Sequence, residues 1–564
     1  MVLPCLYVMG VFAMPKFRPG GSILFKFRGT DSIGSPDANE DDYLKSCFVN
    51  TGIIEVLGNA EDGRRIIVGR TGSGKTALLK KILEEYERVI VVPPETLALS
   101  YISNSTILQF LNSLGVKLDV FYKLLWRHVF AVELIQQHLH VADAENDKMG
   151  IWTRLKSILG EKQEKKHQQA LDYLKNWGNS FWEKTDYRIK EVTTKIENDL
   201  NVAIGAKIPG LSSKIAGKVG FSEEEKAEII HRAQEIVNQV QIQELSNVIE
   251  LVDTILDDPQ KIYYILVDRL DEQWVDDQIR YHLIRALIET VRDFKRIRHA
   301  KIIIAMRRDL LDQVFRYTRD AGFQEEKYES LYLNLTWTHE QLEEVLDTRI
   351  SQLVRSRYTT QIVTHVNLLP ERYRKRPILD YVFSLTMMRP RDVIIYFNTC
   401  IEKATDRSAI SETVLSQAEG EYSRKRLRSL ADEWFSEYPS LLICVELLKN
   451  KNPLFMASEI SEDECIECIT RILDTPNLKT DLLAQLASQY INDIIDYKKL
   501  RNEIIAVFYK MGIIGIKTDR SDLISWNYTG QKEISIAEFK DSSQITVHKC
   551  FRRALGIKEE KIMK

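Results

Sequence analysis

Five side chains in this sequence have the types and spacing to handle a phosphate and a metal together. Lys75 and Thr76 close the run GRTGSGKT, Gly69–Thr76, which matches the pattern GxxxxGK[ST]. Asp268 stands at the end of the apolar run YYILV, Tyr263–Val267, and Asp271 and Glu272 follow closely. Glycines such as Gly69, Gly72 and Gly74 let backbone N–H groups turn inward around an anion, since a Cβ would block that approach. Arg70, Thr71 and Ser73 complete the loop. Lys75 supplies a mobile charge for the β- and γ-phosphates, and Thr76 offers a hydroxyl to Mg2+. Asp268 is expected to hold a magnesium-bound water, and Asp271 or Glu272 to orient or deprotonate the attacking water. Either of these two could instead cap the helix expected over 276–297. The chemistry implied is hydrolysis of ATP, with Mg2+ as cofactor.

Secondary structure has to bring these groups to one place. Ile66, Ile67 and Val68 read as a short β-branched strand before the loop. Leu78, Leu79, Ile82, Leu83 and Tyr86 recur at helical spacing after it. The order strand, loop, helix points the positive end of the helix at the bound anion. Tyr263–Val267 has the continuous apolar character of a parallel strand buried on both faces, expected beside the loop strand. Asp268 then projects at the carboxyl edge of the sheet. Further strands are expected at 88–92, 301–306 and 331–337, with Thr338 and Gln341 spaced as a capping box. Arg307 or Arg308, at the end of KIIIAM, is expected to sense the γ-phosphate, or else to pair with nearby acids.

The fold class expected is α/β: a P-loop NTPase core with a parallel sheet flanked by helices, built from residues 29–105 and 257–340. Residues 1–28 read as an N-terminal extension, with Met14 as an alternative start. Residues 106–256 read as a large helical insertion. It carries Trp126, Trp152, Trp177 and Trp182, a capping box at Ser222 and Glu225, and a glycine-rich, lysine-bearing loop at 203–221. Residues 341–420 read as a helical lid. There Pro390 starts a helix and places Arg389 and Arg391 at its head, where Arg391 could reach the nucleotide or pair with acids. Residues 421–564 read as a winged-helix-like module, its hairpin drawn from IIGIKT and DLISWNY. Lys498, Lys499 and Arg501 favour DNA for that module, while Glu503 and the acidic stretch 461–467 favour docking to protein.

Bulk properties narrow the classes. A chain of 564 residues needs several cores. Its 44% hydrophobic and 28% charged residues suit a globular protein, and a net charge of -3 gives no global pull toward nucleic acid or anionic membrane. Seven scattered cysteines argue for a reducing compartment, and the lone CxxC, Cys465 and Cys468, lies in an amphipathic helix with no second pair to complete a zinc set. The apolar start is shorter than the roughly 20 residues of a spanning helix. The expected location is the cytoplasm, with no membrane partner.

GRTGSGKT, ILVDRLDEQW, IIIAMRRDLL and MMRPRDVIIYFN together resemble the AAA-like and STAND-type signal-transducing ATPases. Within these, the chain is most similar to a bacterial P-loop ATPase family with VDRLDE-W and RPRD signatures. The lead-in TDSIGSPDANEDDYLKSCFV, Thr30–Val49, and more weakly VHKCFRRALGI, share the likeness, which covers about residues 29–403. The resemblance implies ATP binding and hydrolysis, with Lys75 and Thr76 on phosphate and magnesium and Asp268 on magnesium. It further implies a homo-oligomeric switch that works with an effector or sensor protein, often in bacterial anti-phage defence. The chain departs from motor AAA proteins in its spaced acids and lacks an unambiguous arginine finger, so slow turnover is expected. Two other readings stay open: a DNA-binding regulator that uses ATP for assembly, and a nucleotide-binding scaffold with negligible turnover.

Overall fold

The computed structural model describes residues 25–94, 117–139, 248–272, 274–275, 277–319, 324–475, 481–519, 521–529 and 534–557, with Asp172, Ala227, Ile230 and His231 as isolated positions. The glycine-rich loop at 203–221, the capping box at Ser222 and Glu225, and Trp152, Trp177 and Trp182 lie outside the described residues. The chain divides into two compact units, one of residues 50–336 and one of residues 1–49 with 337–564.

In the unit of residues 50–336, helix α1 (Ile53–Gly58) precedes strand β1 (Ile66–Gly69), and helix α2 (Lys75–Glu85) follows. Strand β2 (Val89–Val91), helices α3 (Asp119–Leu139) and α4 (Val248–Ile255) and strand β3 (Tyr263–Val267) come next. Helix α5 (Asp277–Asp293), strand β4 (Ala300–Arg307), helix α6 (Arg308–Tyr317) and strand β5 (Tyr332–Asn334) complete it. The five strands form one sheet in the order β2-β3-β4-β1-β5, every pairing parallel. The β-branched runs in β1, β3 and β4 are buried along nearly their whole length, as strands covered on both faces must be.

One expectation is corrected by this order. β3 does not lie beside β1, because β4 stands between them. β4 is the longest strand, pairing with β3 over Ala300–Ile304 and with β1 over Ile304–Arg307. Its length lets it serve both neighbours, which a reading of single strands does not reveal. Helices α3 and α5 cover the sheet. Trp126, fully buried on α3, donates its indole N–H to Leu283 O at 2.9 Å and stacks on Phe130, so this aromatic belongs to the core.

At the amino edge of the sheet two cations are buried without a carboxylate in contact. Arg65 donates to Ala300 O and Ala60 O, and Lys301 to Val56 O at 2.8 Å and Asn59 O at 2.7 Å. Burial pulls Lys301 down to about 7, with Arg65 adding repulsion. A neutral amine still has two N–H groups, enough for both carbonyls. Below about pH 7 the folded and unfolded chains both hold the proton, and the full cost of burying charge applies. Between there and the ordinary lysine range near ~10.4, only the unfolded chain holds it, so stability rises with pH. Urea midpoints at pH 6.5 and 9 are expected to show the wild type gaining on Lys301→Met as pH rises.

In the second unit, residues 25–49 pack with the helices that follow residue 337. Phe27 exchanges backbone hydrogen bonds with Arg407 and Asp406. Asp41 pairs with Arg349, both buried, and Arg349 also donates to Ile33 O. Helix α7 (His339–Arg357) begins at the expected capping box of Thr338 and Gln341, and α8 (Pro390–Lys403) begins with proline in its first turn. The basic run Arg372–Arg376 makes a small hairpin of β6 (Arg372–Tyr373) and β7 (Arg376–Pro377), turned by Arg374 and Lys375 at φ 48° and 64°. Helix α9 (Glu412–Glu433) leads into strand β8 (Leu454–Met456), helices α10 (Glu462–Leu473), α11 (Leu482–Ile491) and α12 (Tyr497–Met511), and strands β9 (Ile514–Lys517) and β10 (Gln544–Val547).

These last three strands form an antiparallel sheet in the order β8-β10-β9. The expected hairpin is therefore corrected. β9 pairs with β10, and DLISWNY contributes only an isolated bridge from Ser525 to Ile516. Ile545 and Val547 on β10 are buried, whereas Leu523 is 90% exposed, so burial selects the later strand. Cys465 and Cys468 are buried on α10, with the Cys468 Sγ 3.5 Å from that of Cys444, and serve as core. No helix among the described residues is long and apolar enough to cross a membrane.

Candidate functional site

The carboxyl edge of the parallel sheet gathers most of the side chains singled out in the sequence. β1 delivers the loop Gly69–Thr76, which turns into α2. A Cβ on Gly69 would lie 2.5 Å from the Ser73 hydroxyl, and Gly72 and Gly74 hold φ of 78° and 98°, so glycine is required at each. α2 has no capping side chain and no acid in its first turn. Its leading N–H groups and positive dipole end are therefore left for an anion.

Lys75 folds back over the loop, its Nζ donating to Gly69 O at 3.1 Å and Arg70 O at 3.0 Å. The side chain keeps part of its surface at the loop mouth. Even so, the protein around it withdraws enough water to pull it down to about 8. Asp271, Arg307, Asp268 and Asp309 are the charges that face it. The Thr76 hydroxyl donates to Asp268 Oδ2 at 2.9 Å, although the two residues are 192 apart and one strand separates β1 from β3. The other oxygen, Asp268 Oδ1, accepts from the Arg269 N–H. A hydroxyl and a carboxylate in contact are a hard oxygen pair of the kind that holds Mg2+, and an ion there would displace the hydrogen bond between them.

Beyond Asp268 the chain makes a strained turn. Arg269 adopts φ 59°, a conformation costly for a residue with a Cβ. The buried Arg280 guanidinium holds the turn by donating to Glu272 O at 3.1 Å and Asp271 O at 3.4 Å while pairing with Asp277. The turn separates the two acids. Asp271 is turned toward the loop and pairs with Arg307 at 3.4 Å. Glu272 is exposed and pairs with Arg269 at 3.7 Å. Neither side chain caps α5, where Asp277 occupies the first turn.

Of the two arginines ending β4, Arg307 faces the site and Arg308 bonds the Asn334 side chain at the end of β5. Asp309 grips Arg307 with both oxygens, Oδ1 to Nε at 3.1 Å and Oδ2 to Nη2 at 2.6 Å. Sequence reasoning passed over Asp309 and Arg280. The run MRRDLL shows an acid two residues after Arg307, but two-residue spacing near a strand end does not by itself imply contact.

Arg391 belongs to the other unit, where its Nε donates to Pro36 O at 3.2 Å. Its neighbour Arg389 is not the surface residue expected. It is buried and paired with Asp392, which Arg426 also approaches. RPRD thus ties α8 to α9. A group of Glu343, Asp347 and His365 in the same unit has atoms close enough to share a cation. Asp347 there already accepts from both the backbone N–H and the ring of His365, the role of a helix cap.

Residues 340–431, spanning α7, α8 and most of α9, match the family described as FunZ-associated C-terminal helical domain. The chain is also similar to a protein of Escherichia coli (strain K12) that carries the name transposon gamma-delta 80.3 kDa protein. The two are 21% identical over 536 residues, covering 92% of this chain and 66% of that relative. The chain therefore spans just under two thirds of that relative's length.

Proposed function

We propose that this protein is a P-loop ATPase whose Mg2+-dependent binding and slow hydrolysis of ATP set the state of a homo-oligomeric regulatory switch. The observation that carries this reading is the Thr76–Asp268 contact at the base of the loop that holds Lys75. The loop, an uncapped helix end, a lysine and a hydroxyl–carboxylate pair supply the separate parts that phosphoryl transfer needs. Asp271 is assigned to the attacking water, because Glu272 turns away toward Arg269. Mg2+ supplies charge neutralisation between the phosphates, while Thr76 and Asp268 hold it in place. Mass measurement with ATP, with ADP and without nucleotide, alongside phosphate release, tests the switch. Assembly that changes with ATP alone is expected, and one mass in all three conditions removes the switch.

The protonation of Lys75 gives this reading a pH signature. The free protein releases that proton near pH 8, whereas a bound triphosphate retains it. Affinity is therefore expected to be level below pH 8 and to fall by on the order of tenfold between pH 7.5 and 9.5. Calorimetry in buffers of different ionisation enthalpy would show proton uptake above pH 8.

A DNA-binding role for the winged-helix-like module has less support. Arg501 is buried and bonded to Asp541, which also takes Lys498. α12 buries eight of its side chains, among them Leu500, Ile504 and Phe508, leaving a narrow face for a groove. Protein docking to an effector or sensor is the reading favoured for this module. Binding of duplex DNA that weakens steeply with salt would overturn it. The resemblance to defence-associated ATPases, and a relative whose name ties it to a transposon, support an action against mobile DNA. Phage plating reduced by the wild type but not by Lys75→Ala is the expected result. Equal plating across a phage panel removes that role.

A further inference from the structure

Arg307 has two carboxylate partners of unequal strength, and this inequality suggests how the site senses a γ-phosphate. Asp309 holds the guanidinium through two hydrogen bonds, with both side chains at least 80% buried. Asp271 touches the remaining Nη1 by a single contact at 3.4 Å and is 39% exposed. A bidentate grip fixes the plane of the guanidinium, whereas one long contact at its free corner is readily exchanged. That free corner is turned toward the charges around Lys75.

Resting on the ATPase reading above, we propose that Asp309 is a positioning residue that holds Arg307 as a two-position bridge. Without a γ-phosphoryl group, Nη1 rests on Asp271. With ATP bound, Nη1 transfers to a γ-phosphate oxygen, and the freed Asp271 carboxylate turns to the attacking water. Asp309 keeps Nε and Nη2 throughout, so the guanidinium swaps partner without leaving its plane. Charge balances in the exchange, since one anionic oxygen replaces another. A diphosphate presents no γ-oxygen, so Arg307 stays on Asp271 and the carboxylate remains engaged. The bridge therefore couples discrimination of ATP from ADP to readiness for hydrolysis.

The test is a double-mutant cycle with Asp309→Asn and Arg307→Ala, reading kcat, KM and the ATP-to-ADP affinity ratio. Asp309→Asn is expected to lower kcat by about a hundredfold, as misplacement of a reacting contact does. It should leave KM within a few-fold and bring the affinity ratio down to that of Arg307→Ala. In the Arg307→Ala background it should cost nothing further. Arg307→Lys, which keeps the charge but loses the two-point grip, should match Asp309→Asn and covers the case where that variant does not fold. An unchanged kcat and affinity ratio in Asp309→Asn, additive losses in the cycle, or wild-type turnover by Arg307→Lys would each overturn the bridge while leaving the ATPase reading intact. Absence of triphosphate binding by the wild type would overturn both.

Discussion

Lys75→Ala is expected to lower ATP turnover by on the order of a thousandfold or more while leaving the protein as stable as before. The loss follows from what an ammonium does as the γ-phosphoryl group moves. It stands against oxygens whose charge grows toward the transition state, in a site where water is scarce and charge is worth more. The retained stability follows from the unliganded geometry. Lys75 bonds only the carbonyls of its own loop, and burial has already pulled it down to about 8. Removing a partly desolvated cation takes away a cost along with two hydrogen bonds. A thermal midpoint within a few degrees of wild type, with phosphate release near background, is the expected pair of results. A fall in both together would point to a structural lysine instead.

The second large effect separates two neighbouring acids. Asp271→Asn is expected to lower kcat by about a hundredfold or more, the scale of a lost general base. Glu272→Gln should stay within a few-fold of wild type. The difference arises in the turn that Arg269 and Arg280 enforce, which aims Asp271 at the loop and Glu272 at solvent. ATP affinity is expected to hold or tighten in Asp271→Asn, because Arg307 loses its weaker partner and is free for phosphate. Single-turnover measurements separate the two quantities. A larger loss in Glu272→Gln would reverse the assignment.

Much of this was legible in the sequence because it is local. β-branched residues before a glycine-rich loop, and apolar residues at helical spacing after it, specify β1 and α2 without any distant contact. The capping box of Thr338 and Gln341 and the proline that starts α8 are readable for the same reason. Pairing across the sheet is another matter. That β4 stands between β1 and β3 depends on which buried strands meet, and Ile, Val and Leu runs look alike to one another. The choice of β10 over DLISWNY as partner of β9 was likewise made by burial across the sheet. Asp309 and Arg280 escaped notice because acids and arginines are common near strand ends and helix starts, and only geometry distinguishes a two-point grip from a solvated charge. Arg389 was misplaced at the surface because its partners Asp392 and Arg426 meet only when α8 and α9 pack together.

The site at the sheet edge stands or falls on one binding experiment: the affinity of ATP for the wild type and for Lys75→Ala, each with Mg2+ and with the metal chelated. The wild type should bind in the presence of Mg2+ and weaken by about tenfold or more without it, as expected when Thr76 and Asp268 hold the ion against the phosphates. Lys75→Ala should bind far more weakly in both conditions. Failure of the wild type to bind, or an affinity that neither Mg2+ nor the lysine alters, would contradict the account.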